Sequence, residues 1–199
     1  MRRSHLLALG TLLALAAGVA VAWHALLTAP PAPVVEVSSE SAASARSKIQ
    51  SLDAAKGRAA QSRQPILVAQ TFTDSELSSM ANEQARARNL PFSNLLLHAT
   101  AAGAVEAQAT VQVAGQDVPV FLEVVPTVTV DSQAVSRLVL NVTRVQVGSV
   151  PLPGPLTDEV TRSVRRSLDV GLVPPGFRDV QVEVGNGRIT ISGVAVPTG

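Results

Sequence analysis

"VEAQATVQVAGQDVPVFLEVVPTVTV", residues 105–130, decides the class of fold. In its first part Val105, Ala107, Ala109, Val111 and Val113 alternate with Glu106, Gln108, Thr110 and Gln112. Successive side chains of a strand point to opposite faces, so this pattern predicts a strand with one apolar and one wet face. "AGQD", residues 114–117, is a tight reversal. Beyond it Val118, Val120, Leu122, Val124, Pro126, Val128 and Val130 share one face of a second strand. Phe121 and Val125 lie on its other face, so parts of this strand are apolar on both sides. A sheet with one wet face needs no such excess, and a second apolar layer implies a helix, another subunit or a ligand.

Downstream, "DSQ" turns the chain and "AVSRLVLNVTRVQV", residues 134–147, returns. Leu138, Leu140 and Val142 are in phase with each other, whereas Val145 and Val147 are not. A bulge near Thr143 and Arg144 accounts for the flip, and bulges bend strands. "VQVGSVPLPGPL", residues 145–156, then changes the character of the chain. Gly148 ends the strand, and Pro151, Pro153 and Pro155 lack the amide donor that further ladder pairing requires. Pro155 suits the first turn of a helix. The helix expected there carries Leu156, Val160, Val164 and Leu168 at steps of four, with Arg162, Arg165 and Arg166 pointing elsewhere. In the closing "RDVQVEVGNGRITISGVAV", residues 178–196, Asn186-Gly187 is a hairpin turn. The phase flips again between Ile191 and Val194, with Gly193 between them, which predicts a second bend.

Upstream, "FSNLLLHATAA" and "ILVAQTF" read as strands. Between them, Thr73 and Glu76 form a capping box that opens a helix through about Arg88, with Leu77, Met80, Ala81, Gln84 and Ala85 at helical spacing. Residues 28–64 read as a Pro/Ser/Ala-rich linker. Within it a short helix would place Ile49, Leu52, Ala55 and Ala59 on one side. The expected fold is therefore α+β: a long, bent, mostly antiparallel sheet of about six or seven strands wrapped on one or two helices, occupying residues 65–199.

Residues 6–27, "LLALGTLLALAAGVAVAWHALL", contain no Asp, Glu, Lys or Arg. About 20 apolar residues span a bilayer as a helix. Arg2 and Arg3 precede them in a short basic stub, residues 1–5, that stays cytoplasmic. The expectation is a single-pass transmembrane signal anchor with the C-terminal domain outside the cytoplasm. Ala20-Val21-Ala22 also fits a signal-peptidase site, and cleavage there leads to the same side of the membrane.

The residue inventory narrows the chemistry. There is no Cys, which removes disulfides, thiol catalysis and thiolate metal sites. From Pro65 onward nine arginines and no lysine stand against twelve carboxylates. With an aromatic content of 3% this argues against a nucleic-acid partner. His98 is the only His outside the anchor region, so no metal site is expected. Asp74 and Glu76 are explained by the helix start, and there is no G-x-S-x-G nucleophile motif. No catalytic residue and no cofactor are expected.

The capped "TDSEL" helix, the meander, "VGSVPLPGPL" and the terminal "VEVGNGRITISG" together carry a resemblance over roughly residues 65–196. The chain resembles the YpmS-like family of membrane-anchored bacterial proteins, and is similar to mycobacterial lipomannan-elongation proteins linked to tubular lipid-binding (TULIP-like) folds. Ser78 stands where those relatives usually have Asn. The resemblance implies an extracytoplasmic groove or tube that holds acyl chains. The candidate lining is Leu77, Met80, Val118, Val120, Leu122, Val124, Leu138, Leu140, Val142, Val160, Val164 and Leu168. The expected partner is a membrane lipid or other acyl-chain ligand. The alternative is a structural module of the bacterial cell envelope that docks another envelope protein through its sheet.

Overall fold

The computed structural model describes residues 33–90, 92–113, 115–130, 136–155, 158 and 176–197. They form an α+β architecture with two long helices, α1 (Ser39–Ser62) and α2 (Asp74–Ala87). The strands are β1 (Ile66–Thr73), β2 (Phe92–Ala99), β3 (Val105–Val113), β4 (Gln116–Val130), β5 (Ser136–Val147), β6 (Val150–Pro151), β7 (Phe177–Gly185) and β8 (Arg188–Ala195). They make two antiparallel sheets rather than the single sheet expected. One has three strands in the order β1-β8-β7, and the other has five in the order β2-β3-β4-β5-β6. The reason lies in pairing, which alternation does not encode. β1 pairs with β8 along its whole length, from Ile66↔Ala195 to Thr73↔Arg188, while β2 to β6 join as consecutive neighbours.

The stretch read as a linker contains a 24-residue helix, longer than the short helix its pattern suggested. Ser38 caps α1 by accepting from the Ser41 amide, and Ala42, Ala45, Ala55 and Ala59 are buried. Small side chains let α1 lie close to α2 and β1. Of the expected inner positions, Ala55 and Ala59 are inside, Leu52 is half-buried and Ile49 faces solvent. Polar bonds complete the docking: the Ser38 amide donates to Ser79 Oγ (3.0 Å) and Gln70 Nε2 to Ser51 Oγ (2.9 Å).

The first expected bend is present as a bulge, and the second position is irregular on one side only. Glu123 faces Arg144 and Val124 faces Val142, so Thr143 is the extra residue of a bulge on β5. At Gly193 the irregularity belongs to the neighbouring strand. β8 pairs with β1 without a break through Val68↔Gly193. On its other side Arg178 faces Val194 and Gln181 faces Ser192, which leaves Asp179 and Val180 opposite Gly193. Asp179 adopts φ 52°, and a side chain at 193 would meet Arg178 O at 3.2 Å and Val180 Cγ2 at 3.3 Å. A third bulge was not foreseen. Ser93 faces Thr110 and Leu96 faces Gln108, so β2 carries one extra residue at Asn94–Leu95, with Asn94 at φ 52°.

Gly148, at φ 61°, turns β5 into the two-residue β6. Pro151 sits in that edge strand, where a missing amide costs nothing, and Leu152 N donates the last bond to Val145 O at 2.9 Å. Gly154 and Pro155 begin a helical turn. The rest of the helix expected there lies outside the described residues, as does the expected anchor at residues 6–27. Among the described residues no helix is long and apolar enough to cross a membrane.

Candidate functional site

The register of the five-stranded sheet brings most of the predicted lining residues onto one face. Residues directly opposite each other in a ladder share a face. The rows across β3, β4 and β5 are Val105–Val124–Val142, Ala107–Leu122–Val145 and Ala109–Val120–Val147. Val111–Val118 lies on one side of them, and Pro126–Leu140 and Val128–Leu138 on the other. Every one of these residues is apolar. Val118 and Val145 are buried; Val120, Leu122, Val124, Leu138, Leu140 and Val142 are half-buried. The bulge at Thr143 is what returns Val145 and Val147 to this face.

Leu77 and Met80 do not join it. They are half-buried on α2, about 100° and 160° round the helix from Ser78, which faces β2. Val160, Val164 and Leu168 lie outside the described residues.

The opposite face is polar at the centre. One row reads His98–Glu106–Glu123–Arg144, the next Leu96–Gln108–Phe121–Gln146. Phe121 is buried, with the Arg144 guanidinium 5.7 Å from its ring centre. Thr143 Oγ1 donates to Glu123 Oε1 at 2.6 Å. Gln108 Oε1 is buried without a hydrogen-bond partner among the described residues. The apolar excess at Phe121 thus fills space beneath polar neighbours, and Val125 is half-buried.

A second feature went unread in the sequence. Asp74, Ser78 and Asn82, spaced four apart on α2, satisfy the outward backbone groups of β2. Asn82 Nδ2 donates to Leu95 O (2.6 Å) and Asn82 Oδ1 accepts from Leu95 N (3.0 Å). Ser78 Oγ accepts from Leu97 N (2.8 Å) and donates to Leu97 O (3.3 Å). Asp74 Oδ1 accepts from Ala99 N (2.9 Å), and Gly187 N donates to Ala99 O (2.8 Å). Four helical residues rise about 6 Å and two strand residues about 6.6 Å, so the two rows stay in step. The buried side of α2 is accordingly Glu76, Ser78, Ser79, Asn82 and Ala85; of the expected stripe Ala85 lies on it, whereas Leu77, Met80 and Ala81 are half-buried and Gln84 is exposed. The available signal was the polar row at i, i+4, i+8. Asp74 Oδ2 also lies 2.6 Å from His98 Nδ1. A carboxylate only accepts, so the ring proton sits on Nδ1.

Glu76 ties α1 to this framework. Its carboxylate accepts from Thr73 N (2.8 Å), Ser44 Oγ (2.5 Å) and Lys48 Nζ (2.7 Å). With Thr73 Oγ1 accepting from Glu76 N, the capping box read from the sequence is complete. Burial alone would raise the Glu76 carboxyl, but the bonds from Lys48, Ser44 and the Thr73 amide outweigh it and hold it below its ordinary value. Lys48 Nζ also donates to Thr71 O (2.7 Å) and lies 5.8 Å from the Phe72 ring centre.

No group of three or more His, Asp or Glu among the described residues is arranged to hold a metal. A shallow depression where α1 meets β1, lined by Arg58, Gln61, Ser62, Gln64, Pro65 and Ile66, is open to solvent. Comparison with protein-family models, with curated proteins and with solved structures finds no match.

Proposed function

We propose that this protein is a lipid-binding or lipid-handling domain held outside the membrane by residues 6–27. The observation that carries the reading is the wholly apolar face of the five-stranded sheet, whose central residues Leu122, Val124, Leu140 and Val142 are half-buried. From the Val118 row to the Val128 row the face runs ten residues along β4, about 34 Å at strand spacing. That exceeds half of a bilayer's hydrocarbon thickness of about 30 Å, the depth one acyl chain occupies. The bulge at Thr143 bends the same sheet, and a curved apolar face suits a chain-like guest. A buried methylene is worth about 0.8 kcal/mol, so ten of them offer about 8 kcal/mol before ordering costs. The expected similarity to tubular lipid-binding folds agrees with this use of the face.

The test is direct binding of a fluorescent acyl probe to residues 33–199, with mass spectrometry of lipids retained through purification. Leu122→Trp fills the centre of the face. The expected result is binding at micromolar probe that falls at least about tenfold in the variant, with an unchanged circular dichroism spectrum. Folded, delipidated protein that binds no probe overturns the reading and leaves the face as a docking surface for another envelope protein.

A further inference from the structure

The edges of the two sheets are not treated alike. β2 is covered by α2 through Asp74, Ser78 and Asn82. β6 is two residues long and contains Pro151. β7 carries the bulge at Asp179–Val180 and the charges of Arg178, Asp179 and Glu183. Bulges, prolines, charges and short strands all discourage further pairing. β1, "ILVAQTFT", has none of these and pairs with β8 without a break. Its free side can be read from the ladder, because the hydrogen bonds of an antiparallel pair fall on alternate residues. Asp74 N donates to Gly187 O (3.1 Å) in register with that pairing, so Ile66, Val68, Gln70 and Phe72 bond β8, and Leu67, Ala69, Thr71 and Thr73 turn their groups outward. Two outward groups are taken from within the fold: Thr73 N by Glu76 Oε2 (2.8 Å) and Thr71 O by Lys48 Nζ (2.7 Å). The N–H and C=O of Leu67 and of Ala69, and the Thr71 N–H, have no partner among the described residues. The Leu67 side chain beside them is 85% exposed. At the start of the strand, the open depression where α1 meets β1 contains a single charged residue, Arg58, which has no ion-pair partner among the described residues.

We propose that the β1 edge docks an extended segment of a partner protein, and that this segment carries an apolar residue followed directly by an acid. Free donors and acceptors repeating at strand spacing are matched by another strand, which adds itself to the sheet. Antiparallel pairing continues the pattern of the three-stranded sheet. The segment then exchanges bonds with Ala69 and Leu67 and runs, toward its own C-terminus, past Ile66 and the depression. Its residue opposite Leu67 shares the face of Leu67, and an apolar side chain there covers it. The next residue lies opposite Ile66 and points to the other face. That is the face on which Gln70 bonds Ser51 of α1 and Lys48 of α1 lies over Phe72. Arg58 belongs to the same helix, and a carboxylate at this position meets its guanidinium. Lys48 holds Thr71 O, so pairing ends at the Thr71 amide and the site is short. The apolar face of the five-stranded sheet takes no part in it.

The experiment titrates the full chain, in detergent micelles, against a short fluorescein-labelled peptide that alternates Thr and Val and ends in Val-Glu with an amidated C-terminus. Fluorescence anisotropy should show saturable binding at micromolar protein, with slowed amide exchange at Leu67, Ala69 and Thr71. Glutamine in place of the peptide's glutamate should weaken binding at least about tenfold. Arg58→Gln should weaken the glutamate peptide equally and erase the difference between the two peptides. Ala69→Pro should abolish binding, because proline removes an outward amide without touching the β8 ladder. Absence of binding overturns the proposal. So does binding that survives Ala69→Pro, or an Arg58→Gln protein that still prefers the glutamate peptide. Should circular dichroism find Ala69→Pro unfolded, a peptide N-methylated at the valine before its glutamate removes the bond from the other side, and unweakened binding of that peptide counts equally against the proposal.

Discussion

Glu76 is the residue on which helix start and helix docking meet. It completes the box with Thr73 and receives Ser44 and Lys48 from α1. Its carboxyl is held below the ordinary value of 4.5, by hydrogen bonds that outweigh burial. A lowered folded value means stability that is fully present above the ordinary value and drains away as pH falls through the folded one. Glu76→Gln keeps an acceptor for the Thr73 amide but loses the charge facing Lys48. The expected cost near neutrality is about 1–3 kcal/mol. That difference should narrow as both proteins are taken below pH 4.5. Urea unfolding of the pair at neutral and acidic pH measures both; a gap that stays constant with pH would mean that charge is not what Glu76 contributes.

At the scale of elements, alternation carried most of the five-stranded sheet. Val105 to Val113 and Val118 to Val130 declare their faces because each polar residue falls between apolar ones, and the slip at Val145 betrayed the Thr143 bulge. β2 gave no such sign. Leu95, Leu96 and Leu97 are all apolar, so no phase exists to break, and the bulge at Asn94–Leu95 is set by Asn82 on another element. The inner face of α2 was misread for a related reason. Hydrophobicity favoured Leu77 and Met80, but the surface α2 meets is a row of peptide groups, which select Ser and Asn. The buried residues of α1 are all alanines, whose contrast with a solvated spacer is small. The shared face of Val118, Val120, Leu122, Val124, Leu138, Leu140 and Val142 was legible for the same reason as the strands; Leu77 and Met80 followed the misread helix, and Val160, Val164 and Leu168 lie outside the described residues. Gly193 yields a prediction at this scale. A larger side chain must displace Arg178 O or Val180, both within 3.3 Å of the added carbon. Gly193→Val should therefore cost about 1–3 kcal/mol, read as a lowered thermal midpoint, and an unchanged midpoint would mean that the β7 bulge yields freely.

For the whole molecule, α1 is part of the fold rather than a spacer leading to it. A chain beginning at Pro65 loses Ser44 and Lys48, takes from the Glu76 carboxylate both of its partners on α1, and uncovers Phe72. Thermal unfolding followed by circular dichroism should give a cooperative transition for residues 33–199 and a much lower or broader one for residues 65–199. Equal midpoints would make α1 an appendage. The division of strands between the sheets also sets an order of assembly. β2 to β6 pair with their immediate neighbours in the chain, whereas among the described strands β1 pairs with β8, from which the entire five-stranded sheet separates it. Local hairpins close quickly and distant ends late. As the chain leaves the ribosome, the five-stranded sheet has all its strands while β1 still has no partner, and the first strand made must wait for the last.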